Sequence, residues 1–90
     1  MKYSYKATER FWKSFYALGS EQKESTRAAW ELFKENPFDP RLNTHTIHRL
    51  SALWKHTVHS AGIEGDLRVV FRIDGSVVTT LDIGAHDIYK

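Results

Sequence analysis

The sequence predicts an α+β fold: a short N-terminal strand, a two-helix hairpin, then a three-stranded antiparallel meander, all in a single domain over residues 1–90. Three observations predict it. Apolar residues recur at helical spacing only between about residues 8 and 36. A two-residue alternation takes over from Leu67. Between two alternating runs stands Asp74-Gly75, the strongest short hairpin signal.

Residues 2–7, KYSYKA, alternate polar side chains with Tyr3 and Tyr5 and read as a strand. Thr8 is placed to cap a helix, and Glu9 puts a negative charge in its first turn. Phe11, Phe15 and Leu18 form its apolar stripe, widened by Trp12 and Tyr16, and Gly19 is its expected stop. Ser20 is the expected cap of a second helix, with Ala29, Trp30, Leu32 and Phe33 on the inner face. Asn36-Pro37 ends that helix, because the proline ring disfavours helical geometry in the preceding residue. Residues 37–46 are rich in Pro, Asn and Thr and read as a loop with room for one helical turn.

The remainder reads as strands. Leu53 to Ser60 forms the first, and Ala61 to Asp66, with two glycines, the turn after it. In the next strand Leu67, Val69, Phe71 and Ile73 point one way, and Arg68, Val70 and Arg72 the other. In the last, Val77, Thr79, Leu81 and Ile83 share a face. One sheet face must cover the helices. The other carries Arg68, Arg72 and part of the histidine set, which is poor core material.

Composition narrows the function. Ninety residues bury roughly 60–65 % of the unfolded surface, enough for one thin core. There is no cysteine, so disulfides and thiolate metal sites are excluded, and a reducing cytoplasm is the expected setting. No run approaches the roughly 20 apolar residues of a membrane span, and the N-terminus lacks a signal-peptide core. No membrane association is expected. The formal net charge is +2, but the charge is unevenly spread. From Arg41 to Ile63 there is no Asp or Glu, while Arg41, Arg49, Lys55, His45, His48, His56 and His59 all fall there. Such a window fits either an anionic partner or a solvated basic face.

Metal binding fits poorly. His56 and His59 lie in a strand-like run, where i, i+3 residues face opposite ways, and neither Cys nor acidic ligands accompany His45 and His48. No metal or cofactor is therefore expected. Ser51, Ser60 and Ser76 lack a nucleophile elbow, and Gly62-x-x-Gly65 reads as a turn. Acid–base cleavage of a phosphodiester fits better. It needs a base for the 2′-hydroxyl, cations for the phosphate and an acid for the leaving oxygen. Histidine titrates near neutral pH, and arginine holds phosphate through a rigid fork of donors. His48, His56, His59 and His86, with Lys55, Arg68 and Arg72, supply those types. Trp54 and Tyr89 are candidates for stacking on bases, whereas Trp12, Phe15, Trp30 and Phe33 are expected in the core.

The element order, with "NPFDPRLNTHTIHRL" and "GDLRVVFRIDGSVVTTLDIGAHDIYK", resembles the RelE/ParE superfamily of bacterial toxins from toxin–antitoxin modules. The resemblance implies the RelE-like microbial RNase fold, a cognate antitoxin in a hetero-oligomer and, for the RelE-like branch, cleavage of mRNA on the ribosome without a metal. Under it, Arg68 matches the strand arginine that contacts the scissile phosphate, and His86 the late histidine of proton transfer. Tyr89 matches a late aromatic near the site, and His48 the histidine before a family leucine. Lys55 and His56 fall where members carry basic residues on the second strand, with His59 the alternative counterpart. Arg49, Arg72, Trp54 and Lys90 extend the substrate-binding set. Asp87 either orients His86 or contacts a base, or it caps the last turn. A ParE-like gyrase inhibitor, or a degenerate toxin that only binds its antitoxin, is the alternative. In the closing stretch, Leu81 to Ile83 finish the strand and Gly84 turns the chain out, so that His86 projects beside the arginine face.

Overall fold

A computed structural model of the chain describes residues 3–47 and 57–85. The elements are β1 (Ser4–Ala7), α1 (Glu9–Tyr16), α2 (Ser20–Phe33), a 3-10 turn (Pro40–Leu42), β2 (His45–Thr46), β3 (Val58–Glu64), β4 (Leu67–Asp74) and β5 (Val77–Gly84). The strands form one sheet in the order β1-β5-β4-β3-β2, with β1 parallel to β5 and the other pairs antiparallel. The fold is the expected α+β arrangement. Among the described residues no helix is long and apolar enough to cross a membrane.

Thr8 joins β1 to α1. Its hydroxyl oxygen accepts the Phe11 amide and its hydroxyl donates to the Leu81 carbonyl at 2.9 Å. One side chain thus caps α1 and fastens it to β5. Tyr5 does the same at the far end of the hairpin. Its hydroxyl lies 2.9 and 3.0 Å from the Phe33 and Lys34 carbonyls, which would otherwise be orphans at the end of α2. Gly19 is not a stop for α1. That helix ends at Tyr16, and Gly19 is the N-cap of α2 with no side-chain cap bond, so Ser20 is the first helical residue instead of its cap.

The core lies between the helices and one sheet face. Phe11, Phe15 and Phe33 meet Ala61, Leu67, Val69, Phe71, Val78 and Ile83. Trp12 and Trp30 do not join it, contrary to the sequence expectation. They are 46 % and 40 % exposed, and with Tyr16 they line a groove of about 540 Å³ between α1, α2 and β1. The physical reason is width. A two-turn helix over the edge of a sheet covers only the Phe11/Phe15 stripe, and β1 is too short to reach the rest.

The alternation in β4 is as expected, but that in β5 is not. Val78 and Ile83 belong to the helix-side core, whereas Leu81 packs with Ile47, Val58 and Val70 on the opposite face. The register explains it. Val70 pairs with Asp82 and Phe71 with Thr80, so Leu81 is an extra residue that switches the facing of the strand. The expected turn at Ala61 to Asp66 is also narrower. β3 continues to Glu64, and only Gly65-Asp66 forms the turn, with Gly65 at φ +48. The first part of the expected strand from Leu53 lies outside the described residues, and Thr57 precedes β3.

Candidate functional site

β4 places Arg68 and Arg72 on the face turned away from the helices, with buried Val70 between them. Directly paired residues share a face. Arg72 pairs with Val58 and Thr79, Val70 with Ser60, and Arg68 with Gly62 on β3 and Gly84 on β5. Arg68 is therefore the only side chain beyond a hydrogen atom in the cross-strand row Gly62–Arg68–Gly84. Gly84 is the last residue of β5, not a turn out of the sheet.

The arginines differ in their partners. Arg10 faces Asp82 at 3.2 Å, Arg27 faces Glu24, Arg41 faces Asp39 at 2.9 Å, and Arg72 lies 3.4 Å from Asp74. Among the described residues Arg68 has no carboxylate partner, and its buried Nε, like that of Arg72, has no hydrogen-bond acceptor. A guanidinium held partly out of water with an unused donor is ready for an oxyanion. Arg41, by contrast, is committed. Its backbone amide and guanidinium both donate to Asp39, and these hydrogen bonds, the side-chain one first, hold the Asp39 carboxyl down at about 2. One charge of the basic window is thus neutralised by an acid two residues earlier, outside the window.

His59 does not lie on the arginine face. It pairs with Phe71 and so points toward the helices, where it stacks on Phe71 at 5.3 Å and meets the edge of Phe38 at 5.2 Å. Its Nδ1 is 3.4 Å from Thr46 Oγ1, and burial pushes its pKa down. This register puts His59 on the face opposite Arg68 and Arg72. The described histidine that does share that face is His45, which pairs with Ser60 and is exposed. In the sequence His45 stands out only as a member of the basic window and as half of a metal pair. No signal could have found it, because β2 is two residues long and its facing comes from β3. His48, Arg49, Trp54, Lys55, His56, His86, Asp87, Tyr89 and Lys90 lie outside the described residues.

Comparison with solved structures fixes the fold. The chain superposes on YafQ from E. coli strain BL21(DE3) with a TM-score of 0.75, at 13 % identity over 99 % of this chain and 100 % of that one. It matches the E. coli DinJ-YafQ toxin–antitoxin complex at 0.76, with 12 % identity and complete coverage of both chains. It matches the archaeal RelE-RelB complex from Pyrococcus horikoshii OT3 at 0.73, with 14 % identity over 98 % of this chain and 99 % of that one.

The chain has the RelE-like toxin fold. No protein-family profile and no curated protein matches it. Within that fold, the described part of the candidate site is the face of β2, β3, β4 and β5 bearing His45, Arg68 and Arg72.

Proposed function

We propose that the protein is the toxin of a toxin–antitoxin module and a metal-independent endoribonuclease that cleaves mRNA on the ribosome. The observation that carries the reading is Arg68: a guanidinium without a carboxylate partner among the described residues, with an Nε that has no acceptor, in a row otherwise made of glycine, on the face of a RelE-like sheet turned away from the helices. The RelE-RelB and DinJ-YafQ pairs support an antitoxin as the partner that restrains it.

In this reading the 2′-hydroxyl attacks the adjacent phosphorus as a base takes its proton. Arg68 donates to the phosphate oxygens, where charge builds in the transition state. An acid protonates the departing 5′-oxygen, leaving a 2′,3′-cyclic phosphate and a 5′-hydroxyl. His86 is assigned to one proton transfer and His48 or His56 to the other, with Lys55 beside the phosphate. Trp54 and Tyr89 stack on bases, and Arg49, Arg72, Asp87 and Lys90 line the substrate. The burial of His59 between two aromatic rings supports a packing role for it.

The test is induced expression of the protein alone, with mapping of mRNA 5′ ends. New in-frame 5′-hydroxyl ends are expected. Arg68→Ala should lower cleavage by about 10²-fold or more, the usual loss for one donor to a developing oxyanion. Growth arrest with intact mRNA and reduced DNA supercoiling would overturn the reading in favour of a gyrase inhibitor.

A further inference from the structure

We infer that Gly62 is a positioning residue: its missing side chain is the seat in which the Arg68 guanidinium lies. Three observations converge on it. The first is register, since Gly62 and Arg68 are direct partners on the face turned away from the helices. The second is space. A Cβ built on Gly62 collides with Arg68 Nη1, lies 3.6 Å from Arg68 Cζ and 3.5 Å from the Leu42 carbonyl oxygen. The third is backbone conformation. Gly65 and Gly75 have φ of +48 and +60 and open space around them, so their glycines serve the turns. Gly62 has no positive φ, so its backbone admits alanine and the requirement for glycine comes from its neighbour's side chain.

The consequence is directional. The guanidinium is laid across β3 with no carboxylate partner among the described residues, and its Nε has no acceptor. A methyl group at 62 leaves the strand intact and moves only the far end of a flexible side chain. The guanidinium is lifted off β3 and its donors lose their aim. Misplacement of a phosphate clamp by about 1 Å costs on the order of 10²-fold in rate. Gly→Ala at a permissive backbone position otherwise tends to stabilise a fold. The inference predicts the two effects together: an equally stable or more stable protein that cleaves poorly.

This inference rests on the nuclease reading, and the experiment separates the two. Single-turnover mRNA cleavage on programmed ribosomes is measured for wild type, Gly62→Ala, Arg68→Ala and the double variant, with melting temperatures and the NMR resonance of Arg68 Nε–H. Gly62→Ala is expected to cleave roughly 10- to 100-fold more slowly with an unchanged or higher melting temperature. In the Arg68→Ala background it should cost nothing more, because the group it displaces is gone. The Arg68 Nε–H resonance should shift in Gly62→Ala. Wild-type cleavage by Gly62→Ala, equal losses in both backgrounds, or a lowered melting temperature that accounts for the loss would each overturn the inference. If wild type itself leaves mRNA intact, the nuclease reading fails. The Nε–H resonance then decides the seat alone: a shift in Gly62→Ala upholds it and an unmoved resonance overturns it.

Discussion

His59 shows how a residue type acquires its role from its surroundings. An exposed histidine titrates near 6.5, but burial against Phe71 and Phe38 disfavours the charged ring and lowers that value. The unfolded chain therefore binds a proton at a pH where the folded protein does not. The His59 contribution is complete above about pH 6.5 and is lost as pH falls below it. Chemical denaturation at pH 7.5 and pH 5 should show lower stability at the acidic value. His59→Phe keeps an aromatic ring without the titration and should shrink the difference. An unchanged difference would place the acid sensitivity elsewhere. Asp39 also holds a lowered pKa, but its partner Arg41 is exposed, so their pairing is screened and adds little.

At the scale of elements, the joints matter more than the elements. Helix α1 has eight residues, too few to persist alone. It is held by the Phe11/Phe15 stripe and by Thr8, whose hydroxyl serves the helix and β5 at once. Thr8→Ala should cost about 0.5–2 kcal/mol in urea denaturation, the range for losing an N-cap. Thr8→Ser keeps the hydroxyl and should recover most of it. The β4–β5 hairpin depends on Gly75 at φ +60, a conformation that costs a side chain roughly 1 kcal/mol. Gly75→Ala should lower the denaturation midpoint while Gly62→Ala does not, a contrast between a glycine needed by the backbone and one needed by a neighbour. Ser14 and Arg10 of α1 close on Asp82 beside the Leu81 bulge, at 2.6 and 3.2 Å. The irregular part of β5 is thus tied to a helix where β1 no longer covers its edge.

At the scale of the whole molecule, one side chain joins the layers. Phe71 is fully buried, meets Phe33 of α2 edge-on at 4.8 Å and stacks on His59 of β3. Phe71→Ala should cost about 3–5 kcal/mol, a large share of the 5–15 kcal/mol typical of a domain. Loss of the cooperative thermal transition, or a much lower midpoint, would be the sign. The same sheet separates two functions by face. One side carries the main core against the helices, and the other carries Arg68 and Arg72 around the smaller Ile47, Val58 and Val70 cluster.

The sequence by itself determined the fold class, the helix hairpin, the β4 alternation, the Asp74-Gly75 hairpin and the shared facing of Arg68 and Arg72. These are local signals: apolar period, turn chemistry and a charged residue at a strand position that cannot be core. Only the tertiary structure decided the rest. The parallel pairing of β1 with β5, the exposure of Trp12 and Trp30, the bulge at Leu81, the burial of His59 and the facing of His45 all depend on which strand lies beside which. A one-residue shift of register exchanges the two faces of a sheet, and no local pattern records the partner's register. Gly62 shows the difference most directly. In the sequence it belongs to a turn, and in the sheet it lies opposite Arg68, where the side chain it lacks is the room the guanidinium occupies.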